Sequence, residues 1–312
     1  MIRNYCSLGI NHHLIYPGVL DNAKLHEETL QALVQMNEFQ VVDLSLPEDR
    51  IIRGRETVML KQTGKEIIYN FPLFFLGEND LDPNSDDPDI IERTLEKARQ
   101  HLEYAAQAGA KYVTFASGID QGISKREKLR ENFIQYSCLF GKEAEKYKIT
   151  ALIEPFDRSI GKNLVIGPTR EAVEYIKSLH ELGIFNIALM VDMGHVPLMG
   201  DTFEEAIMLS LPYLHHIHIG NCVMKNPEST YYGDKHPPLG IDSGENDMPE
   251  LEEFLSILLK SGYMENGGKR SVSIEMQPYP GVSSQLSALV GFEKMNNALH
   301  KILKCGEDSL CN

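Results

Sequence analysis

Short runs of β-branched and other apolar residues recur along the chain, each followed by a longer stretch with apolar positions at helical spacing. The runs lie at 5–10, 39–46, 66–71, 111–116, 149–154, 187–192, 214–219 and 271–276. Between them, segments 23–38, 90–108, 125–147, 169–182, 203–211, 249–263 and 285–303 mostly carry apolar residues at i, i+3, i+4 and i+7. In 90–108 the stripe is Leu95, Ala98, Leu102, Ala105 and Ala106. Only the interval 47–65 shows a poor helical pattern. Local punctuation agrees with these limits: Gly109 and Gly183 follow helical segments, while Gly167-Pro168-Thr169 and Met248-Pro249 precede them. Eight β/α units in one row predict a closed parallel (β/α)8 barrel rather than an open sheet. An open doubly wound sheet usually carries a glycine-rich phosphate turn, but Gly9-Ile10-Asn11 gives no GxGxxG and no GxxxxGK[ST] occurs. With no Pro/Gly/Ser-rich linker, low-complexity tract or repeat, residues 1–312 read as one barrel domain.

Composition narrows the function without naming it. The chain is 42% hydrophobic and 24% charged, an ordinary globular balance, and its 30 Lys+Arg against 45 Asp+Glu leave a net charge of −15. A surface that negative repels phosphate backbones, so neither nucleic acid nor an anionic membrane is an expected partner. The first residues, MIRNYCSLGINHHLIYPG, hold no apolar core with a cleavage site, and no stretch of ~18 apolar residues occurs, so a cytoplasmic location is expected. Cys6, Cys138, Cys222, Cys305 and Cys311 form no CxxC and read as reduced thiols. The 12 methionines read as core filler. Ser117-Gly118 has no recognisable triad partner, which leaves nucleophilic serine chemistry without support.

In a barrel of this kind chemistry sits at the C-terminal ends of the strands. Run five ends in Leu152-Ile153-Glu154-Pro155 and run six in Asp192-Met193-Gly194-His195. Run seven reads His215-His216-Ile217-His218, and run eight ends in Ser273-Ile274-Glu275. Strand alternation turns His216 and His218 inward and His215 and Ile217 toward the helices. Glu154, Asp192, His218 and Glu275 therefore converge on one mouth. Three carboxylates that close need a counter-charge, and an O/O/O/N set suits Mn²⁺, Mg²⁺ or Co²⁺ better than a thiolate-type Zn²⁺ site, with Zn²⁺ still admissible.

These residues resemble the xylose isomerase-like TIM barrels, which include ketose 3-epimerases, hydroxypyruvate isomerase, inosose dehydratase and, more distantly, endonuclease IV. Glu154-Pro155-Phe156-Asp157-Arg158 is similar to the epimerases' strand-five motif, and Asp192 with His195 to their strand-six Asp-x-x-His. His218 and Glu275 fall where that family places a metal-binding His and Glu. The resemblance implies a divalent metal on Glu154, Asp192, His218 and Glu275. It also implies a small carbohydrate substrate, with Glu154 and Glu275 removing and returning the proton alpha to a carbonyl through an enediolate. His195 would bind a substrate oxygen, and Arg158 would fix the substrate; the plainer alternative for Arg158 is a rim pair with Asp157. Homodimers or homotetramers are implied likewise. Keto-inositol dehydration or keto-acid decarboxylation on the same site is the alternative outcome.

The match has departures. The epimerases carry a carboxylate two residues after that Arg and an Arg six residues after the strand-seven His, where this chain has Ile160 and Met224. Gly233-Asp234-Lys235-His236 is similar to the Asp-x-His metal element of endonuclease IV. That allows a second cation on His195, Asp234 and His236, an acid- or phosphate-binding role for Lys235 and His236, or simply a polar turn. Endonuclease IV also needs histidines on strands three and four, where this chain reads Asn70-Phe71-Pro72-Leu73 and Phe115-Ala116-Ser117. A phosphodiesterase is therefore the weakest of the readings. After run one, Asn11-His12-His13 brings His12 or His13 toward the mouth as a substrate contact, with packing or loop exposure as the alternatives.

Overall fold

Every strand carries apolar residues on its outer face, and helices cover them. The structure, a computed structural model, describes residues 1–73, 76 and 80–310. Its strands are β1 (Ser7–Asn11), β2 (Val41–Leu44), β3 (Glu66–Asn70), β4 (Tyr112–Phe115), β5 (Thr150–Ile153), β6 (Ile187–Asp192), β7 (Leu214–Ile219) and β8 (Ser271–Ile274). They close in sequence order as one parallel barrel, with β1 pairing both β2 and β8. The helices are α1 (His12–Ile15), α2 (Ala23–Val34), α3 (Arg50–Thr63), α4 (Pro88–Ala108), α5 (Ile123–Glu145), α6 (Thr169–Glu181), α7 (His195–Met199), α8 (Phe203–Ser210), α9 (Met248–Lys260) and α10 (Ser284–Leu310). Among the described residues no helix is long and apolar enough to cross a membrane. Cys6, Cys138, Cys222 and Cys305 are free thiols, and Cys311 lies outside the described residues.

The main core lies between barrel and helices. Leu8, Ile10, Val42, Leu44, Ile153, Val191, Ile217 and Ile274 point outward into it and are buried. Each such side chain stabilises the fold by about 1.5–3 kcal/mol. The barrel interior is divided. Tyr112, Leu152, Ala188 and Met190 form a small apolar plug from β4, β5 and β6. The interior of β1, β2, β7 and β8 is polar instead, with Asn11, Asp43, His216, His218, Ser271 and Ser273 all buried.

Two local expectations differ from the structure. The weak interval forms α3, whose helix is started by Asp49 accepting from the N–H groups of Ile51 and Ile52 and stopped by Gly64 at φ 66°. Its pattern reads poorly because its buried residues are only Leu60 and a glutamate, Glu56, which is bonded to His26. In β7, Leu189 pairs with Leu214 but Met190 with His216, so His215 is bulged out of the alternation. It is exposed, with its ring centroid 6.0 Å from that of Tyr112, rather than facing the helices beside Ile217.

Gly9 faces the polar interior, where an added Cβ would meet Ser273 Oγ and come 2.7 Å from Val41 Cβ. Gly9→Ala is expected to lose about 1–3 kcal/mol by overpacking, read from urea unfolding midpoints. Wild-type stability in that variant would show that the interior is looser than these distances state.

Candidate active site

The barrel register sets the site. Asp192 lies beside His218, and His218 beside Ser273, two residues before Glu275. The Glu275 N–H extends the ladder to Ile219 O at 3.0 Å, as the Glu154 N–H does to Phe115 O at 3.0 Å. One donor atom from each of Glu154, Asp192, His218 and Glu275 lies within 4.8 Å of all the others, and all but the half-buried Glu154 are buried. His218 Nδ1 and Glu275 Oε2 are 2.5 Å apart.

Neighbouring groups occupy one atom of each of three of these residues and leave another bare. Asn11 Nδ2 donates to Glu275 Oε1 at 2.7 Å, the Gly194 N–H donates to Asp192 Oδ1 at 2.7 Å, and His218 Nε2 faces Asp43 Oδ2 at 3.2 Å. Glu275 Oε2, Asp192 Oδ2 and His218 Nδ1 remain buried without a hydrogen bond. A buried polar atom left unpaired costs about 1–3 kcal/mol, so three aimed at one another fit a shared cation. The three-carboxylate, one-imidazole donor set suits a hard or borderline divalent ion.

Beside this centre sits a second cluster. His236 Nε2 lies 2.7 Å and His195 Nε2 3.2 Å from Asp234 Oδ1, and Lys162 Nζ lies 3.1 Å from Asp234 Oδ2. His195 Nδ1 also comes within 3.3 Å of Glu154 Oε1, and Asp192, His195 and His236 form a further group of converging donors. The expected trio His195, Asp234 and His236 is thus brought together. The loop bearing Asp234 and His236 is tied down by Asn246, which donates to Met193 O and Gly220 O, and by Asn221, which donates to Pro238 O. Asp157 collects the N–H groups of Ser159, Ile160, Gly161 and Lys162, and this cradle carries Lys162 to the cavity.

Electrostatics follow from this crowding. Burial pushes the Glu154 carboxyl up to about 7, with His195 partly opposing it. Burial also works to raise Glu275, but His218 and His236 hold it well below the usual carboxylate range. His236 is penalised by burial yet raised to about 9 by Asp234 and Glu275. His195 likewise resists its burial and stays well above the ordinary imidazole value, held there by Asp234 and Asp192. A cavity of about 140 Å³ opens over these groups, walled by Phe71, Phe115 and Phe156.

Three expected contacts belong elsewhere. Arg158 turns away from the cavity and forks onto Glu171 at 2.9 and 2.6 Å, with a further bond to Val165 O; it does not pair with Asp157. Lys235 is exposed and points away from the cavity that its neighbours Asp234 and His236 line. His12 is fully buried behind the site against Thr29 Oγ1 at 2.9 Å, and His13 lines the cavity instead. Sequence reasoning missed Lys162, Asn11 and Asp43. For Asp43 a signal existed, an acidic residue inside the apolar run Val41-Val42-Asp43-Leu44.

A family model described as the xylose isomerase-like TIM barrel matches residues 22–287. Among solved structures, an L-ribulose 3-epimerase superposes with a TM-score of 0.71 at 15% identity, covering 95% of this chain and 96% of its own. A D-psicose 3-epimerase from Clostridium cellulolyticum H10, solved with D-tagatose, gives 0.66 at 17% identity over 96% of this chain and 98% of its own. An AP endonuclease, family 2, from Brucella melitensis gives 0.65 at 20% identity over 92% and 98%. No curated protein matches the chain. At these identities the structural likeness is one of fold, while the family match spans most of the sequence. The chain belongs to the xylose isomerase-like TIM barrel family.

Proposed function

We propose that the protein is a metal-dependent isomerase or epimerase of a small sugar, sugar phosphate or sugar acid. The observation that carries this reading is the pair Glu154 and Glu275, which reach the same cavity from β5 and β8 around one converging donor set. Glu154, Asp192, His218 and Glu275 would hold the divalent ion, which when bound supplies Lewis-acid polarisation of a carbonyl.

The chain's own groups account for the rest. One glutamate carboxylate takes the proton from the carbon alpha to the carbonyl, and the other returns a proton to the opposite face. Their unlike surroundings suit an acceptor and a donor, since Glu154 is drawn toward its neutral form and Glu275 is held ionised. His195, fixed between Glu154, Asp192 and Asp234, presents a cationic ring to a substrate oxygen as charge develops there. Lys162 offers an ammonium to a hydroxyl or acid group of the substrate, the role assigned from sequence to Lys235 and Arg158. The apolar wall of Phe71, Phe115 and Phe156 keeps water from the reacting carbon. A second cation on His195, Asp234 and His236 would compete with the Lys162 ammonium for Asp234, so we assign a single ion. Asn70 and Ala116 line the cavity at the ends of β3 and β4, where the endonuclease IV pattern calls for histidines; this favours sugar chemistry over phosphodiester cleavage.

Incubation with Mn²⁺ and a panel of ketoses and keto sugar acids in D₂O is expected to place deuterium on the alpha carbon, read by NMR. Release of water or CO₂ without exchange would assign the lyase outcome instead. Glu154→Gln and Glu275→Gln are each expected to lower kcat by about 10²–10⁴-fold while circular dichroism stays unchanged. Lys162→Met is expected to raise KM by about tenfold or more, the worth of one charge-assisted hydrogen bond, with a smaller effect on kcat. An unchanged KM would leave Lys162 as a partner of Asp234 alone.

A further inference from the structure

We infer that Asp43 is a positioning residue: through the buried chain Ser271–His216–Asp43–His218 it fixes the His218 ring with Nε2–H toward β2 and the Nδ1 lone pair toward Glu275. This rests on reading the four-ligand centre as a metal site. Asp43 is fully buried in the barrel interior, with its Oδ2 at 3.2 Å from His218 Nε2 and 3.4 Å from His216 Nε2. His216 Nδ1 lies 2.7 Å from Ser271 Oγ.

An ionised carboxylate only accepts, so one acceptor-only group orders every proton in the chain. Both Nε2 atoms must carry hydrogen. His216 Nδ1 is then bare and accepts a hydrogen bond from the Ser271 hydroxyl, while His218 Nδ1 is the ring atom left facing Glu275 Oε2 and the Asp192 carboxylate, where a bound cation would take its lone pair. With a cation shared by Nδ1 and Glu275, the other tautomer of His218 would set a bare Nε2 against the Asp43 carboxylate, a repulsion that no ion offsets on that side of the ring. Coordinating histidines are oriented by such outer partners.

Stability alone does not account for Asp43. Its Oδ1 is buried with no hydrogen bond, and a buried charge of this kind is commonly replaced by apolar packing without loss. The position therefore carries a cost that orienting a ligand explains and filling space does not. His216 works through Asp43, sharing its Oδ2 with His218.

The test uses Cd²⁺ alone as probe on protein labelled with ¹⁵N-histidine. In the wild type, ¹¹³Cd–¹⁵N coupling is expected at His218 Nδ1, with Nε2 protonated. Asp43→Asn keeps the shape but not the acceptor-only character, so Cd²⁺ and Mn²⁺ dissociation constants are expected to rise about 10–100-fold. In that variant the coupling should spread to Nε2 while circular dichroism holds. Coupling through Nε2 in the wild type, or wild-type affinity in Asp43→Asn, overturns the inference. The wild-type coupling decides the matter if the variant fails to fold. Failure of the wild type to take up either ion overturns the metal reading itself, which is a separate result from binding that ignores Asp43.

Discussion

Like charges held close together in a dry place govern this molecule. Barrel closure fixes the ends of β5, β6 and β8 around one mouth, and Glu154, Asp192 and Glu275 project into it. Buried carboxylates that near one another must lose charge or gain positive neighbours. The surroundings supply both remedies, with Glu154 drawn toward neutrality and His195, His218, His236 and Lys162 gathered about the other carboxylates. The bare atoms left facing one another are the remainder that a cation would satisfy.

The barrel can carry this strain because its stability comes from elsewhere. The apolar core lies outside the strands, against the helices, and a small plug of Tyr112, Leu152, Ala188 and Met190 fills one side of the interior. The opposite side is released from packing duty and holds Asn11, Asp43 and His216 behind His218 and Glu275. Stability and chemistry are thereby divided between outer and inner faces of the same strands, the alternation that a parallel barrel imposes.

The fold is shared by epimerases and by an AP endonuclease of similar superposition, so fold alone does not choose the reaction. The choice rests on side chains around the mouth. Ile160 and Met224 stand where the ketose epimerase pattern has a carboxylate and an arginine, and Lys162 is the lysine that reaches the cavity. The polar groups around the mouth therefore differ from those the family resemblance alone implies.

The period of the apolar positions sufficed for the eight strands and most helices, because burial on alternate or helical faces is a local property. It sufficed also for the convergence of Glu154, Asp192, His218 and Glu275, since strand parity fixes which way each points. The weaker readings were those that depend on non-local bonds. Arg158 is claimed by Glu171, and His12 and His13 part company because α1 begins there and helical rotation replaces strand alternation. Asp234 and His236 turn inward and Lys235 outward, while the Asp157 cradle delivers Lys162 from another loop. Chain order determined the frame and the residue types at the mouth; only folding decided pairs such as Lys162 with Asp234, Arg158 with Glu171 and His218 with Asp43, because those partners are distant in sequence and are selected by packing.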